Sequence, residues 1–458
     1  MKSLWHALIK HGVLSWTNLL LLLLGLGLHE MYERGLKTVS ANDLFWFIPL
    51  MLAQSALYVV ASWAVLRARA SSRSTLIIVV VFAALFRLAI LYHAPFLSDD
   101  IYRYIWDGRV QAARINPYRY IPADEHLARL RDKEIYPKIN RRESARTIYP
   151  PLAQAIYFGT TRVSESVVWM KATMVGFEAL ALLALVGLLA SFELPLQRIV
   201  IYAWHPLVVW EFAGSGHVDA ISIAFICLAL LARRYNREAA TGVALACAVL
   251  VKLIPLVLFP ALYKRWGWKM PVAFVITIVL AYVPYLSVGL GNVLGYLPGY
   301  TEEEGLHSGS RFFLLGLARR LLGSESVPSA AYILFAGLAL SALALWSFLK
   351  REECERSFVK RAFVLAAAFT ILLSPRYEWY FAWLIPFLCF VPFAPVFALT
   401  ASAFMLYLFW FGETRDQTLV VNSFLYAPFA LMCLLYLWRY RWRMGGGRAR
   451  VLSSESLI

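Results

Sequence analysis

The sequence has few charged residues. Asp, Glu, Lys and Arg make up 16% of its 458 residues, against about 25% in soluble domains. Hydrophobic residues reach 60% and are concentrated in runs such as residues 44–66 and 333–349. Because a helix needs ~20 predominantly apolar residues to cross a bilayer, these runs exclude a single soluble domain. They predict an all-α polytopic membrane protein.

The sequence also has little cysteine. Four of its five cysteines lie in apolar stretches, and their spacing shows no pairs: Cys227, Cys247, Cys354, Cys389 and Cys433. A disulfide framework or a zinc site requires paired spacing. Redox chemistry is therefore not expected.

Acidic residues are outnumbered by basic ones, which gives a formal net charge of +16. Much of the basic excess lies in short segments beside apolar runs, at residues 67–69, 233–234, 264–265, 350–351 and 439–443. Such basic flanks are typical of cytoplasmic loops. The charge therefore indicates membrane topology and not a nucleic-acid partner.

Alternation of the apolar runs between basic flanks predicts about 11–14 membrane segments. They form a single domain, residues 1–458, with both termini in the cytoplasm and a cytoplasmic tail at residues 439–458. Lys2 and Lys10 precede the first run without a cleavage site, so we expect a retained helix. Residues 93–149 and 289–328 are then extracytoplasmic loops. The first is long and charged, which makes it a candidate catalytic loop.

One apolar stretch separates two basic pairs that both indicate the cytoplasmic side, at residues 233–234 and 264–265. A re-entrant hairpin with Lys252 near its tip satisfies both pairs, because Pro255 removes a helix hydrogen bond there. A lysine at that depth is expected to face a protein carboxylate or a lipid phosphate. Arg87, nearer its helix end, can instead extend its side chain to the interface.

Ser98, Asp99 and Asp100 open the first outer loop. The apolar spacing after them predicts an amphipathic helix along the membrane surface, with Tyr and Trp at headgroup depth. Asp99, Arg103 and Asp107 share its other face. Two interpretations stay open at this point. The two aspartates cap the helix and complement its dipole, or they are catalytic.

Two groups of residues later in the sequence also allow two interpretations each. His217 and Asp219 follow a glycine-rich stretch at a helix start and can bind a phosphate or a sugar hydroxyl. Alternatively, Asp219 caps that helix and His217 is solvated. Arg376 and Glu378 lie among aromatic residues in a short outer loop, a mixture that suits phosphate and sugar. The alternative there is an Arg–Glu pair in an interfacial aromatic belt.

Five motifs follow one another along the chain: Ser-Asp-Asp-Ile-Tyr-Arg-Tyr-Ile-Trp-Asp-Gly-Arg from Ser98, Asn-Pro-Tyr from Asn116, Tyr-Pro-Pro-Leu from Tyr149, Gly-Ser-Gly-His-Val-Asp from Gly214 and Val-Lys-Leu-Ile-Pro from Val251. Their order resembles polyprenol-phosphate-sugar-dependent glycosyltransferases of the C superfamily, in particular bacterial members related to the alpha-1,6-mannosyltransferases. The resemblance covers residues 95–265 in motif detail and most of the chain in topology. This sequence departs from it by additional apolar spans before the loop.

The resemblance implies a glycosyltransferase C-type architecture and an inverting transfer of a hexose, with mannose as the expected sugar. The donor would be a polyprenyl-phosphate sugar, and the acceptor a hydroxyl of a glycan or glycolipid outside a bacterial plasma membrane. Asp99 or Asp100 would be the general base, with no choice between them. The expected substrate-binding residues are Arg103, Arg109, Tyr149, His217, Asp219, Lys252, Arg376 and Glu378. No metal or cofactor is expected for a monophosphate-linked donor.

Two other classes of protein share some of these features. Intramembrane charges and broken helices also occur in transporters and lipid flippases, and membrane acyl- or phosphotransferases can use the same carboxylates. The sequence has no detectable internal repeat and has a long outer loop. Both observations favour a glycosyltransferase over a transporter.

Overall fold

The computed structural model describes residues 15–40, 44–68, 72–303, 305, 308–323, 327–350, 354–411 and 415–445. This part of the chain folds into helices and loops and contains no strand. The predicted all-α class is therefore confirmed. The predictions for Lys2 and Lys10, and for the tail beyond residue 445, fall outside the described residues.

The chain forms α-helices of widely different length. In chain order they are α1 (Trp16–Ser40), α2 (Leu44–Arg67), α3 (Arg73–Leu91), α4 (Asp100–Ala112), α5 (Pro151–Val163), α6 (Val167–Ser191), α7 (Val200–Ala203), α8 (Pro206–Val208), α9 (Asp219–Arg234), α10 (Glu238–Val249), α11 (Phe259–Leu262), α12 (Lys269–Tyr282), α13 (Leu297–Glu303), α14 (Phe313–Leu321), α15 (Ser329–Leu349), α16 (Ser357–Leu373), α17 (Ile385–Leu388), α18 (Ala394–Ala401) and α19 (Arg415–Gly445).

Shorter helical turns of other kinds interrupt this series. Turns of 3₁₀ helix occupy Glu125–Leu130, Tyr136–Lys138, Leu196–Ile199, Ile254–Leu258, Val283–Val288, Glu378–Leu384 and Ala403–Phe411, and a π-helix occupies Val209–Gly214. Many of these turns follow or contain a proline, which cannot donate the next helical hydrogen bond.

Six helices of the described residues are long and apolar enough to cross a membrane. They are Phe45–Arg67, Arg73–Leu91, Val167–Ser191, Lys269–Val288, Ser329–Leu349 and Thr418–Arg439. Two further apolar helices, Glu238–Val249 and Ala394–Trp410, are shorter. The protein is thus a polytopic membrane protein. These six helices are fewer than the predicted 11–14 membrane segments. The predicted total is reached only if the short and broken helices are also counted as membrane segments.

Helix packing follows chain order over most of the molecule. Helix α1 packs against both α2 and α3, and α9 packs between α6 and α10. Arg87 of α3 forms a buried ion pair with Glu178 of α6 and donates to the carbonyl of Ala203 at 2.7 Å. Arg87 therefore does not extend to the interface, because a buried partner stabilises its charge within the protein.

Helix α4 lies near the start of the loop of residues 93–149, and its aromatic residues do not face lipid headgroups as the sequence predicted. Its aromatic side chains Tyr102, Tyr104 and Trp106 are buried within the protein. The helix packs closely on α5, because a Cβ at Gly108 would lie 2.6 Å from the backbone oxygen of Tyr157. Residues 113–149 also contact α4, through hydrogen bonds from Arg109 to the Leu130 carbonyl and from Asn140 to Asp100. Helix α4 is thereby held between α5 and this loop.

The chain doubles back at Lys252, as the hairpin prediction requires. After α10 it returns through Ile254–Leu258 and α11, and Lys264 then reaches Asn236, at the other end of α10, over 3.5 Å. At the tip, the Leu250 carbonyl accepts a hydrogen bond of 3.1 Å from the backbone N–H of Leu152. This contact supplies an acceptor for an N–H group in the first turn of α5, which has no partner within its own helix.

Candidate active site

The first turns of α4 and α9, the hairpin tip and several loops surround a cavity of about 270 Å³. Its charged wall residues are Asp99, Asp100, Arg103, Arg141, Arg146, Asp219 and Lys252. Tyrosine and tryptophan rings complete the wall: Tyr104, Tyr149, Tyr296, Tyr377, Trp379, Tyr380 and Trp410. Carboxylates, cations and aromatic faces thus meet in one volume.

Asp100 is held in a fixed position at the start of α4. Its Oδ1 accepts a hydrogen bond of 2.7 Å from Asn140 Nδ2, and its Oδ2 lies 3.9 Å from His217 Nδ1. The backbone N–H of Asp100 is bound instead by Ser98 Oγ, at 3.2 Å. Helix capping therefore does not occupy the Asp100 carboxylate.

Asp99 is the more exposed of the two carboxylates. It stands at the N-cap position of α4 but makes no side-chain capping hydrogen bond. Partial burial raises the pKa of the Asp99 carboxyl, and the neighbouring Asp100 raises it further, while Lys138 acts in the opposite direction. The capping interpretation thus leaves Asp99 unexplained. A carboxylate with a raised pKa at a cavity wall is a suitable general base.

Lys252 supplies a fixed positive charge on the same cavity. Its Nζ lies 2.7 and 2.8 Å from the two oxygens of Asp219 and 3.9 Å from the ring centre of Tyr380. Asp219 is the first residue of α9, so the ion pair joins the hairpin tip to this helix. The predicted buried anionic partner of Lys252 is a protein carboxylate.

Arg103 brings a second cation to the wall from one turn further along α4. Its Nε donates to Asp107 at 2.9 Å, and its Nη1 donates to the carbonyl of Ala145 at 3.1 Å. Gln154 holds the other oxygen of Asp107 at 2.9 Å. The guanidinium is therefore oriented before any ligand arrives.

Comparison with known protein families shows which family the chain belongs to. Residues 11–267 match the family model described as alpha-(1->6)-mannopyranosyltransferase, N-terminal domain. The chain belongs to this mannosyltransferase family. Comparison with curated proteins gives no match. Family membership supports a glycosyltransferase that acts on mannose, and not the transporter or flippase of the alternative interpretation.

The matched range contains most of the residues that line the cavity. Of the ten residues predicted from the sequence, six line the cavity: Asp99, Asp100, Arg103, Tyr149, Asp219 and Lys252. Tyr149 meets the ring of Tyr104 edge to face, with ring centres 5.0 Å apart. The structure thus brings together residues that are up to 153 positions apart in sequence, from Asp99 to Lys252.

Two predicted residues, Arg109 and His217, lie behind the cavity wall. Arg109 pairs with Asp132 at 2.6 Å and with Glu165 at 2.9 Å, so it fastens the outer loop to the segment before α6. His217 is buried, and its ring stacks on Trp379 with centres 4.0 Å apart. It is not solvated, and it contacts the cavity only through its neighbours.

The other two predicted residues, Arg376 and Glu378, do not form the expected pair at the cavity. Arg376 lies over the rings of Tyr377 and Phe409, with 5.9 and 6.0 Å to the ring centres. Glu378 is buried beneath the wall. The aromatic residues beside them, Tyr377, Trp379 and Tyr380, are the ones that reach the cavity.

Several wall residues were missed by the sequence interpretation, among them Asn140, Arg141, Arg146 and Tyr296. The arginines could have been found, because arginines in a loop predicted to be extracytoplasmic run against the usual basic bias of cytoplasmic loops. Tyr296 could not have been found from the sequence. It reaches the cavity because the loop of residues 289–328 docks on the loop of residues 93–149, with a hydrogen bond of 3.2 Å from the Tyr296 N–H to the carbonyl of Thr147.

The second loop makes this contact through glycine. At Gly295 the backbone has a φ of +57°, and a Cβ there would lie 1.8 Å from the carbonyl oxygen of Thr147. Only glycine allows both this backbone conformation and the close approach to Thr147.

The described residues contain no group of three or more His, Cys, Asp or Glu side chains that could hold a metal ion.

Proposed function

We propose that the protein transfers mannose from a polyprenyl-phosphate donor to a hydroxyl of a glycan or glycolipid, with inversion at the anomeric carbon. The observation that carries this proposal is the pairing, around one cavity, of the Asp99–Asp100 carboxylates with the fixed cations Lys252 and Arg103. A carboxylate is needed to accept the proton of the acceptor hydroxyl. The cations are needed to stabilise the negative charge that develops on the leaving phosphate.

In the proposed reaction, one bond to the anomeric carbon forms as another breaks, and the cavity supplies the group that accepts the proton. The acceptor oxygen forms a bond to the anomeric carbon, and its proton passes to a carboxylate. The bond from the anomeric carbon to the phosphate oxygen breaks, and the polyprenyl phosphate leaves with the electron pair. Lys252 and Arg103 stabilise the charge that develops on this phosphate, since fixed cations require no rearrangement during the reaction. The aromatic wall provides faces against which a sugar ring packs.

We assign the role of general base to Asp99. Its carboxylate is exposed and is used in no capping bond, whereas Asp100 is held by Asn140. Asp100 then fixes the geometry of the wall and raises the proton affinity of Asp99 through its charge. This division of roles explains why two adjacent carboxylates are present.

The proposal places the cavity on the extracytoplasmic side of a bacterial plasma membrane. Residues 93–149 and 289–328 are the outer loops, and residues 439–458 are the cytoplasmic tail. A polyprenyl chain needs a path from the cavity into lipid, and the donor class is inferred from the motifs and from the two cations. Neither a metal nor a cofactor takes part in the proposed reaction.

The deciding experiment is a transfer assay with the purified full-length protein. Radiolabelled polyprenyl-phosphate mannose and polyprenyl-phosphate glucose are each incubated with a membrane lipid extract, and the labelled product is isolated. We expect label from the mannose donor, in a product whose anomeric configuration is opposite to that of the donor. Transfer from neither donor would contradict the proposal, and a retained configuration would contradict inversion.

The carboxylates are tested in the same assay. Asp99→Asn is expected to lower the transfer rate by about two orders of magnitude or more, the scale of general base catalysis, and Asp100→Asn by less. Glu125→Gln is the matched control, because Glu125 is an exposed carboxylate of the same loop. Its activity should equal that of the unsubstituted protein. Full activity in both aspartate variants would overturn the assignment.

A further inference from the structure

Four buried polar side chains lie behind the cavity wall and take no part in the proposed reaction. They are Glu211, His217, Glu378 and Tyr407, and each is 2% exposed or less. They come from four separate segments: the π-helix Val209–Gly214, the turn before α9, and the 3₁₀ turns Glu378–Leu384 and Ala403–Phe411. We call Glu211, Glu378 and Tyr407 the buried acidic cluster.

One tyrosine lies beside both carboxyl groups of this cluster. Tyr407 Oη donates to Glu211 Oε1 at 2.7 Å, and Glu378 is a neighbour of the same side chain. A phenol has a single proton to donate, and that proton goes to Glu211. Glu378 Oε1 has no hydrogen-bond partner among the described residues, so no donor stabilises an ionised Glu378 at this oxygen.

Burial and the charges around the cluster favour a proton on one of its two carboxyls. No lysine or arginine of the described ranges forms an ion pair with Glu211 or Glu378. The nearby ammonium of Lys171 donates to the carbonyls of Ile90 and His93, and that of Lys252 is paired with Asp219. Two buried carboxylates without a cation are very costly. Retaining one proton removes one of the two charges.

His217 connects the buried acidic cluster to the cavity. Its Nε2 lies 3.3 Å from Glu211 Oε2 without an aligned hydrogen bond, and its Nδ1 lies 3.9 Å from Asp100 Oδ2. Stacking on Trp379 keeps the ring in this orientation. The imidazole is therefore positioned between the cluster on one side and the Asp99–Asp100 pair on the other.

We propose that the buried acidic cluster is a shared-proton site that sets the charge of His217, and that His217 in turn sets the pH at which the Asp99–Asp100 pair ionises. An anionic Glu211 stabilises the imidazolium, and the imidazolium favours an ionised Asp100 across 3.9 Å. His217 acts as a positioning residue through Asp100 and does not touch substrate. This inference rests on the proposed function, in which that pair carries the transfer.

The test is the pH dependence of kcat/KM for mannose transfer in the full-length protein. His217→Asn removes the positive charge of the imidazolium beside Asp99 and Asp100. The acid limb of the pH profile, where kcat/KM falls as the pH is lowered, should therefore move to higher pH by about one unit or more. Glu211→Gln should move it in the same direction. At pH values well above the limb, kcat and the donor KM should stay near those of the unsubstituted protein.

His205→Asn is the matched control for loss of a buried imidazole. His205 is as buried as His217 but packs on Tyr58 and hydrogen-bonds Thr400, away from the cavity. Its pH profile should match that of the unsubstituted protein. A His217→Asn profile that superimposes on the unsubstituted one, or an equal shift in His205→Asn, would overturn the proposal.

A second measurement does not depend on activity. The infrared spectrum of the purified protein at neutral pH should contain the C=O stretch of a buried protonated carboxyl, and Glu378→Gln should remove it. Absence of that band would overturn the shared-proton site even if transfer is observed. Absence of transfer with the band present would contradict the proposed function and leave the shared proton established.

Discussion

The ammonium of Lys252 lies 2.7 and 2.8 Å from the two carboxylate oxygens of Asp219. This ion pair joins the tip of a re-entrant hairpin to the first residue of α9, and both side chains line the cavity. The Tyr380 ring covers the ammonium from another side, 3.9 Å from its centre. In the proposed reaction the pair thus has two separable roles, stabilising the hairpin and presenting a cation to the leaving phosphate.

These two roles are separated by a double substitution. Lys252→Gln leaves Asp219 as an uncompensated carboxylate, so it should lower the free energy of unfolding by about 3–5 kcal/mol and kcat by about 100-fold. Adding Asp219→Asn removes the unpaired charge. The double variant should therefore regain most of the stability while kcat stays low. Thermal unfolding and the transfer assay measure the two quantities. Recovery of kcat together with stability would assign Lys252 a purely structural role.

Asp99 should show opposite effects on activity and on stability. Its pKa is raised above the ordinary aspartate value of 3.8, so the folded protein disfavours the ionised carboxylate at neutral pH. Only that ionised form can accept a proton, and the transfer rate should fall as the pH is lowered through the raised pKa. Asp99→Asn removes the disfavoured charge. It should abolish most activity while the Tm stays equal or increases.

The pH series and the melting curves test Asp99 independently. In the unsubstituted protein the acid limb of kcat/KM should lie above pH 3.8. A limb at or below that value would contradict the assignment of Asp99 as the base. A marked decrease in Tm for Asp99→Asn would show that the charge of the carboxylate stabilises the fold, as an interaction with the dipole of α4 requires.

The sequence predicted the hairpin and six of the cavity residues for identifiable reasons. Pro255 and the basic pairs on either side of the apolar stretch indicate a break at Lys252 without any knowledge of the rest of the fold. Asp99, Asp100 and Asp219 belong to short motifs at helix starts, and the first turn of a helix is the part that local sequence specifies best. Their positions at the cavity follow from those local features.

The remaining features depend on contacts between distant segments. Tyr and Trp residues in α4 have the same pattern whether they face headgroups or other helices, so burial of Trp106 could not be predicted. Arg87 could reach either the interface or a partner, and only the packing of α3 on α6 places Glu178 beside it. Tyr296 reaches the cavity through the docking of two loops, which no local pattern encodes.

Gly108 is a sensitive test of how α4 is positioned. A Cβ there would lie 2.5 Å from Thr161 Oγ1 and 2.6 Å from the backbone oxygen of Tyr157. Gly108→Ala should therefore push α4 away from α5 and cost about 1–3 kcal/mol in the free energy of unfolding. The same displacement moves Asp99 and Asp100, so the transfer rate should fall as well.

Gly159→Ala is the matched control on the facing helix. A Cβ at Gly159 would meet nothing within 4 Å, and alanine is the better helix former by roughly 0.5–1 kcal/mol. This variant should be equally or more stable and fully active. Equal loss of stability in the two variants would show that the α4–α5 contact is not the cause.

Arg109 is expected to affect the outer loop and not substrate binding. Its guanidinium holds Asp132, Glu165 and the carbonyl of Leu130 at 2.6, 2.9 and 3.0 Å. Arg109→Lys keeps the charge but loses the planar fork of donors. The free energy of unfolding should fall by about 1.5–3 kcal/mol, and deuterium exchange should accelerate in residues 125–138. The donor KM should stay within about twofold. A large increase in KM with unchanged exchange would support direct substrate binding by Arg109.

Glu125 tests the orientation on which the proposed reaction depends. It begins a 3₁₀ turn of the outer loop and is 86% exposed, so a cysteine there should be accessible without disturbing the fold. In intact cells, a membrane-impermeant thiol reagent should label Glu125→Cys from outside. Cys354 is exposed and follows the basic segment near residue 350, so it should react only after the membrane is permeabilised. Removing it by Cys354→Ser isolates the new label. Labelling of Glu125→Cys only after permeabilisation would place the cavity on the cytoplasmic side, where an extracytoplasmic acceptor could not reach Asp99.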